Sequence, residues 1–154
     1  MGNADTMRRA YDLLNGGDVD GFGALVADGF VEHQETPGVP PTKAGVLDMF
    51  RSYLEIFPDL HMKVDEVLES GDRAVARVSV SGTQKGEFMG VPASGRHGET
   101  QLIDIMRFDA DGRIAEHWGV MDMLTLMQQI GAIPGGPPEP AGAQHGKPAG
   151  TPGR

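Results

Sequence analysis

Between Asp104 and Gly131 the chain reads DIMRFDADGRIAEHWGVMDMLTLMQQIG, with ionisable groups set among large apolar ones. Asp104 lies between Leu102, Ile103, Ile105 and Met106, while Glu116, His117 and Asp122 crowd around Trp118 and Val120. Burying a carboxylate or an imidazole costs free energy unless it is paired or solvated. That cost marks the segment as a place for chemistry. Side chains two apart on a strand share a face, so His117 goes with Gly119, and Asp104 with Leu102 and Met106. An Asp111-Gly112 turn makes the two stretches antiparallel neighbours, and Asp104 and His117 then meet across the ladder or one register away. The carboxylate orients the imidazole and favours its charge, while burial opposes charge on both. A histidine tuned near neutrality would take an acidic proton flanked by two carbonyls and return it to a developing alkoxide. The bland alternative is a satisfied polar pair that fixes strand register.

Other side chains have two readings as well. Trp118 and the methionines at 49, 62, 89, 106, 121 and 123 fill a core or line an adaptable apolar cavity. Asp122 suits the N-cap of a closing helix, with a place at the site as its second reading. Arg107 pairs with a carboxylate in the pocket or lies on a solvated or dimer face. The histidines are scattered, and His33-x-Glu35 is not a recognised ligand spacing, so no metal site is expected. No G-x-G-x-x-G, P-loop or G-x-S-x-G pattern occurs.

These residues need a scaffold. Met7, Ala10, Tyr11 and Leu14 give a helical stripe, with Asp5 or Thr6 as cap and Gly16-Gly17 as stop. Asp18 caps a short helix carrying Phe22, Leu25 and Val26, and Phe30 to Glu35 follows as a short strand. Thr42 opens a helix on which Val46, Met49, Phe50, Tyr53, Leu54 and Phe57 hold helical spacing until Pro58. The period then changes to two. Strands are expected over His61 to Leu68, Arg73 to Thr83, Thr100 to Phe108 and Arg113 to Val120, and a last helix over about Asp122 to Ile130, with Gly131 as its C-cap. Helices followed by antiparallel strands make an α+β protein, and a curved sheet around the 42–57 helix leaves a hollow suited to a small ligand. Residues 1–133 form one domain; 134–154, rich in glycine and proline, form a tail expected to be disordered.

The 154 residues allow one domain with a core. A formal charge of −9 without a Lys/Arg cluster argues against a nucleic-acid partner. The absence of cysteine excludes a disulfide scaffold, a thiolate metal site and a cysteine nucleophile. Neither a signal-peptide core nor a long apolar run is visible, so a cytoplasmic protein without membrane contact is expected.

Several separated motifs carry a resemblance. They are Phe57-Pro58-Asp59-Leu60, Gly82-Thr83-x-x-Gly86-Glu87-Phe88-x-Gly90-Val91-Pro92, Asp104 to Phe108, Gly112 to Trp118, Asp122, and Gln128 to Gly131. In this order they resemble the SnoaL-like polyketide (ester) cyclases of the nuclear transport factor 2-like superfamily, over roughly residues 5 to 133. The resemblance implies a cone-shaped α+β barrel, a curved, mainly antiparallel sheet wrapped around N-terminal helices. It also implies a homodimer with a hydrophobic pocket in each subunit, and an intramolecular aldol condensation run by side chains without metal or organic cofactor. It places His33, with Glu32 and Glu35, near the pocket. The family's catalytic carboxylate falls at Gly119, a frequent histidine at Asp104, and another in the Gly-Thr-x-x-Gly motif at Gln84.

The expected activity is therefore a cofactor-independent cyclase or isomerase acting on a polyketide-like carbonyl compound. Asp104 and His117 transfer protons. His33, Gln84, Leu102, Met106, Trp118, Phe50, Tyr53 and Asp122 contact the substrate. One alternative is a non-catalytic module binding a small hydrophobic metabolite, in which Gly119 marks lost catalysis. Another is an epoxide hydrolase using Asp104, Arg107 and Asp122.

Overall fold

The computed structural model describes residues 1–135; the proposed tail beyond that lies outside the described residues. The chain begins with α1 (Asn3–Asn15), whose buried face is Thr6, Met7, Ala10, Tyr11 and Leu14. Its N-cap is Gly2, earlier than Asp5 or Thr6, because Glu69 accepts from the free Asn3 and Ala4 amides at 3.3 and 2.8 Å. Gly17 follows the helix end with φ +75°, a conformation glycine adopts without strain. Asp18 caps α2 (Val19–Ala24) by accepting from Gly21.

The next strand, β1 (Val26–Glu32), starts earlier than the expected 30–35 stretch, since Leu25 is the C-cap of α2 and Val26 already begins the strand. Val26 and Phe30 supply its buried side chains. Thr42 caps α3 (Lys43–Ile56), which ends before Pro58. Then come β2 (His61–Ser70), β3 (Arg73–Thr83), β4 (His97–Phe108), β5 (Ile114–Met121) and α4 (Met123–Gln129), the last capped by Asp122.

The strands form one sheet in the order β1-β5-β4-β3-β2. It is curved but not closed, since β1 and β2 are unpaired edges. Three neighbouring pairs are antiparallel, while β1 runs parallel to β5, a pairing that the sequence pattern did not disclose. Register shifts in three pairs add to the bending. Helix α1 packs on β2 and β3, α4 on β4, and α3 against α2 and β1. The main core gathers Met7, Tyr11, Leu14, Phe30, Val78, Met106 and Ile114, and a smaller cluster of Phe57, Phe88, Leu126 and Ile130 closes one end.

Strand register fixes what each face carries. On the concave face Ala76, Asp104 and Gly119 form one row, and Ala74, Met106 and His117 the next. On the convex face Leu68, Val75, Ile105 and Trp118 form a row beside Arg77, Ile103 and Val120.

Candidate functional site

The concave face brings a histidine between two carboxylates. Nε2 of His117 lies 2.8 Å from Oδ1 of Asp104, and Nδ1 lies 2.7 Å from Oε1 of Glu32. Glu32 reaches the ring because the end of β1 is in parallel register with β5, where Glu32 and His117 are partners. On the far side of Asp104, the Tyr11 hydroxyl donates to Oδ2 at 2.5 Å. Side-chain exposure is only 9% for Asp104, 10% for Glu32 and 13% for His117. All four groups are hydrogen-bonded, as buried polar atoms require.

Electrostatics follow from this geometry. Burial alone pushes His117 down, but hydrogen bonds and charge from Asp104 and Glu32 outweigh it and raise the imidazole to about 10. The ring is an imidazolium at neutral pH, with both N–H groups donated. In that form it has no lone pair free to accept a proton, unlike the histidine near neutrality expected from the sequence. Burial, then the Asp104 charge and hydrogen bond, raise the Tyr11 hydroxyl well above its ordinary value, so it remains a donor.

The array opens onto a cavity of about 1050 Å³. Leu102, Met106, Phe50 and Tyr53 line it with Asp104 and His117, as do Tyr11, Glu32, Gln34 and Gly119. Its walls are mainly apolar, with Asp104, Glu32 and His117 gathered at one place. Such a site favours a largely apolar ligand carrying a few oxygen functions.

Four residues expected to contact the substrate have side chains engaged with other groups. Trp118 lies on the convex face, opposite the cavity, with the His33 ring stacked on it at 4.6 Å and the Arg73 guanidinium 5.0 Å from its centre. His33 borders the cavity, while its ring stacks on Trp118 and its Nε2 lies 3.2 Å from Glu116. Strand parity explains the placement of Trp118, since it is odd-stepped from His117. Asp122 is exposed at the head of α4, where the Thr125 hydroxyl and amide hold its carboxyl below the usual range. Gln84 is fully buried, but its amide binds the carbonyls of Gly86, Val91 and Pro92 and the Ser94 hydroxyl, pinning the 84–96 loop. Arg107 pairs with Glu116 on the convex face, which removes the cation from the epoxide-hydrolase trio along with Asp122.

Tyr11 has no role in the sequence reading, and Glu32 has only a place near the pocket that the resemblance implies. A lone hydroxyl in the otherwise apolar stripe of α1 was the available signal for Tyr11, because a buried tyrosine needs a partner for its O–H. The local pattern gives no comparable signal for the contact of Glu32 with His117, which depends on the parallel pairing of β1 with β5. Among the described residues no helix is long and apolar enough to cross a membrane.

The same architecture occurs in known proteins. The chain is 28% identical over 133 residues to the aklanonic acid methyl ester cyclase DnrD of Streptomyces peucetius, covering 82% of this chain and 89% of that one. The corresponding cyclase DauD of Streptomyces sp. strain C5 is 26% identical, with 82% and 80% covered. Among solved structures, TsrD from Streptomyces laurentii superposes with a TM-score of 0.76 at 33% identity, over 84% of this chain and 94% of that one. IdmH from Streptomyces antibioticus gives 0.74 at 32% identity, over 85% and 99%. The family model for SnoaL-like polyketide cyclases matches residues 4–130. With the family model matching most of the chain and the fold superposing on these structures, the chain belongs to the SnoaL-like polyketide cyclases.

Proposed function

We propose that the chain closes a carbocycle in a polyketide-like ester by intramolecular aldol chemistry, with Asp104 as the proton carrier. The observation that carries this reading is the Asp104 carboxylate at the cavity wall, held by the His117 imidazolium and the Tyr11 hydroxyl. Each carboxylate oxygen accepts one of these bonds and keeps a second lone pair. Asp104 takes a proton from a carbon flanked by two carbonyls, and the C–H electron pair becomes the enolate. The enolate carbon attacks a ketone carbon of the same molecule, one C–C bond forms, and the carbonyl pair moves to oxygen. That alkoxide recovers the proton from Asp104. The step is an isomerisation, and proton transfer balances it without a metal or organic cofactor. Proton transfer by a placed side chain contributes about 10²–10⁴-fold, and confinement of the folded substrate supplies more.

The test uses the full-length chain with aklanonic acid methyl ester, the compound named for two of its relatives. Cyclised product, followed by chromatography, is expected from the wild type. Asp104→Asn should lower turnover by at least about 10²-fold while remaining folded by circular dichroism. Undiminished turnover by that variant would overturn the role of Asp104. One observation favours a second reading, a binding module: the position that in the family carries the catalytic carboxylate is Gly119. Tight binding of the ester without turnover would support it.

The same reading includes a second copy on the convex face. Leu68, Ile103 and Val120 are 61%, 51% and 77% exposed there, beside Arg73, Arg77, Glu66 and Glu116. An apolar stripe flanked by both signs of charge can pair with itself across a two-fold axis.

A further inference from the structure

Gly119 faces Asp104 directly across the β4–β5 ladder and has no side chain to fill its place on the concave face. A Cβ built there would lie 2.3 Å from Oε1 of Gln34, 2.7 Å from Oδ1 of Asp104 and 2.9 Å from Cε1 of His117. Three side chains thus converge on one small volume that any other residue at 119 would occupy. Gln34 comes from the segment after β1. Its backbone is fixed there, since the Gln34 amide donates to Glu32 Oε1 at 2.9 Å and the His33 amide to the His117 carbonyl at 2.9 Å. The half-buried carboxamide lines the cavity, and among the described residues it has no hydrogen-bond partner.

The donors around Asp104 are otherwise committed. The Tyr11 hydroxyl goes to Asp104, and both His117 N–H groups go to carboxylates. Glu32 has no proton to give when ionised. Enolate formation moves the negative charge from Asp104, which takes up the proton, to a substrate oxygen in a largely apolar cavity. That oxygen needs a donor that is not engaged and does not itself add charge. The Gln34 amide, turned about its terminal bond, provides two N–H groups at the required place.

We propose that Gln34 is a further residue of the reaction site, whose carboxamide donates to the enolate oxygen formed when Asp104 removes the proton. Gly119 is the condition for this role, because the missing side chain admits the amide. The inference rests on the cyclase reading above and deepens it. Removal of one oxyanion donor costs about 10²–10³-fold in kcat in well-studied enzymes.

Gln34→Met keeps the length of the side chain and removes both N–H groups. With aklanonic acid methyl ester it should lower kcat by about 10²-fold, leave KM within a few fold, and leave the pH profile unshifted. A loss confined to KM, or no loss, would overturn the proposal. A binding comparison separates this outcome from failure of the cyclase reading. In an Asp104→Asn background, which imitates the carboxyl after proton uptake, naphthol stands in for the enol and naphthalene for its apolar body. Adding Gln34→Met should weaken naphthol binding about tenfold, one good hydrogen bond's worth, and leave naphthalene unchanged. Equal weakening of both probes, or of neither, refutes a donor role even if the ester is never turned over.

Discussion

His117 and Asp104 are bonded at 2.8 Å although they are not cross-strand partners. Asp104 stands opposite Gly119, and His117 opposite Met106, so the imidazole leans one register along the sheet to reach the carboxylate. The lean is possible because nothing projects from position 119, and Cε1 of the ring borders the empty volume.

Substitutions at Gly119 should therefore be costly in a specific way. Gly119→Ala puts a methyl group among three converging side chains, and overpacking of that kind typically costs about 1–3 kcal/mol. Gln34 is the group best able to withdraw, being the far end of a flexible side chain. Gly119→Asp alone should accordingly give no gain in ring closure, whereas the same change with Gln34→Ala should recover stability relative to the single variant. Urea denaturation of the four combinations measures this as a coupling between the two sites. Additive effects would mean that Gln34 and position 119 do not share space.

The charge on His117 gives a pH prediction with a definite sign. Its folded value of about 10 lies above the ordinary 6.5. The stabilisation is thus fully present below the unfolded value and declines as pH rises toward and through the folded one. The stability difference between the wild type and His117→Gln should shrink steadily between those limits. The rate profile of the wild type should also lack an inflection near the ordinary histidine value, because the ring does not titrate there. An imidazole Cε1–H resonance that moves with a midpoint near neutrality would sink both expectations.

How far the site was legible depends on sequence separation. Asp104 and His117 are 13 residues apart, joined by one Asp-Gly turn, so parity and hairpin geometry brought them together from sequence. Tyr11 and Glu32 are 93 and 85 residues from their partners, and local pattern carries no information at that range. Trp118 was misplaced for a different reason. Its size suits a pocket wall, but strand parity sets it on the face opposite His117, and parity decides. Gln84 was read through its motif, yet its amide is consumed by the carbonyls of the loop it anchors. The helices and strands themselves were mostly clear, since Thr42, Pro58, Gly71, Gly112 and Asp122 punctuate them. The exception was β1, whose partner is the last strand of the chain.

The convex face provides the remaining test. Val120 and Ile103 are cross-strand partners, and both side chains project away from the cavity. If a second copy covers them, the wild type should sediment as a dimer at micromolar concentration. Val120→Arg sets like charges near the two-fold axis and buries them without partners, a juxtaposition worth several kcal/mol. The variant should therefore run as a monomer. Its own fold should persist, because the side chain is 77% exposed within one chain and contributes little to the core. Ring closure by the monomer then distinguishes two roles for association. Unchanged kcat would show that each cavity is complete in one chain, consistent with the placement of Tyr11, Glu32, Asp104 and His117 in a single copy. A wild type that sediments as a monomer at all concentrations would remove the second copy as the occupant of this face.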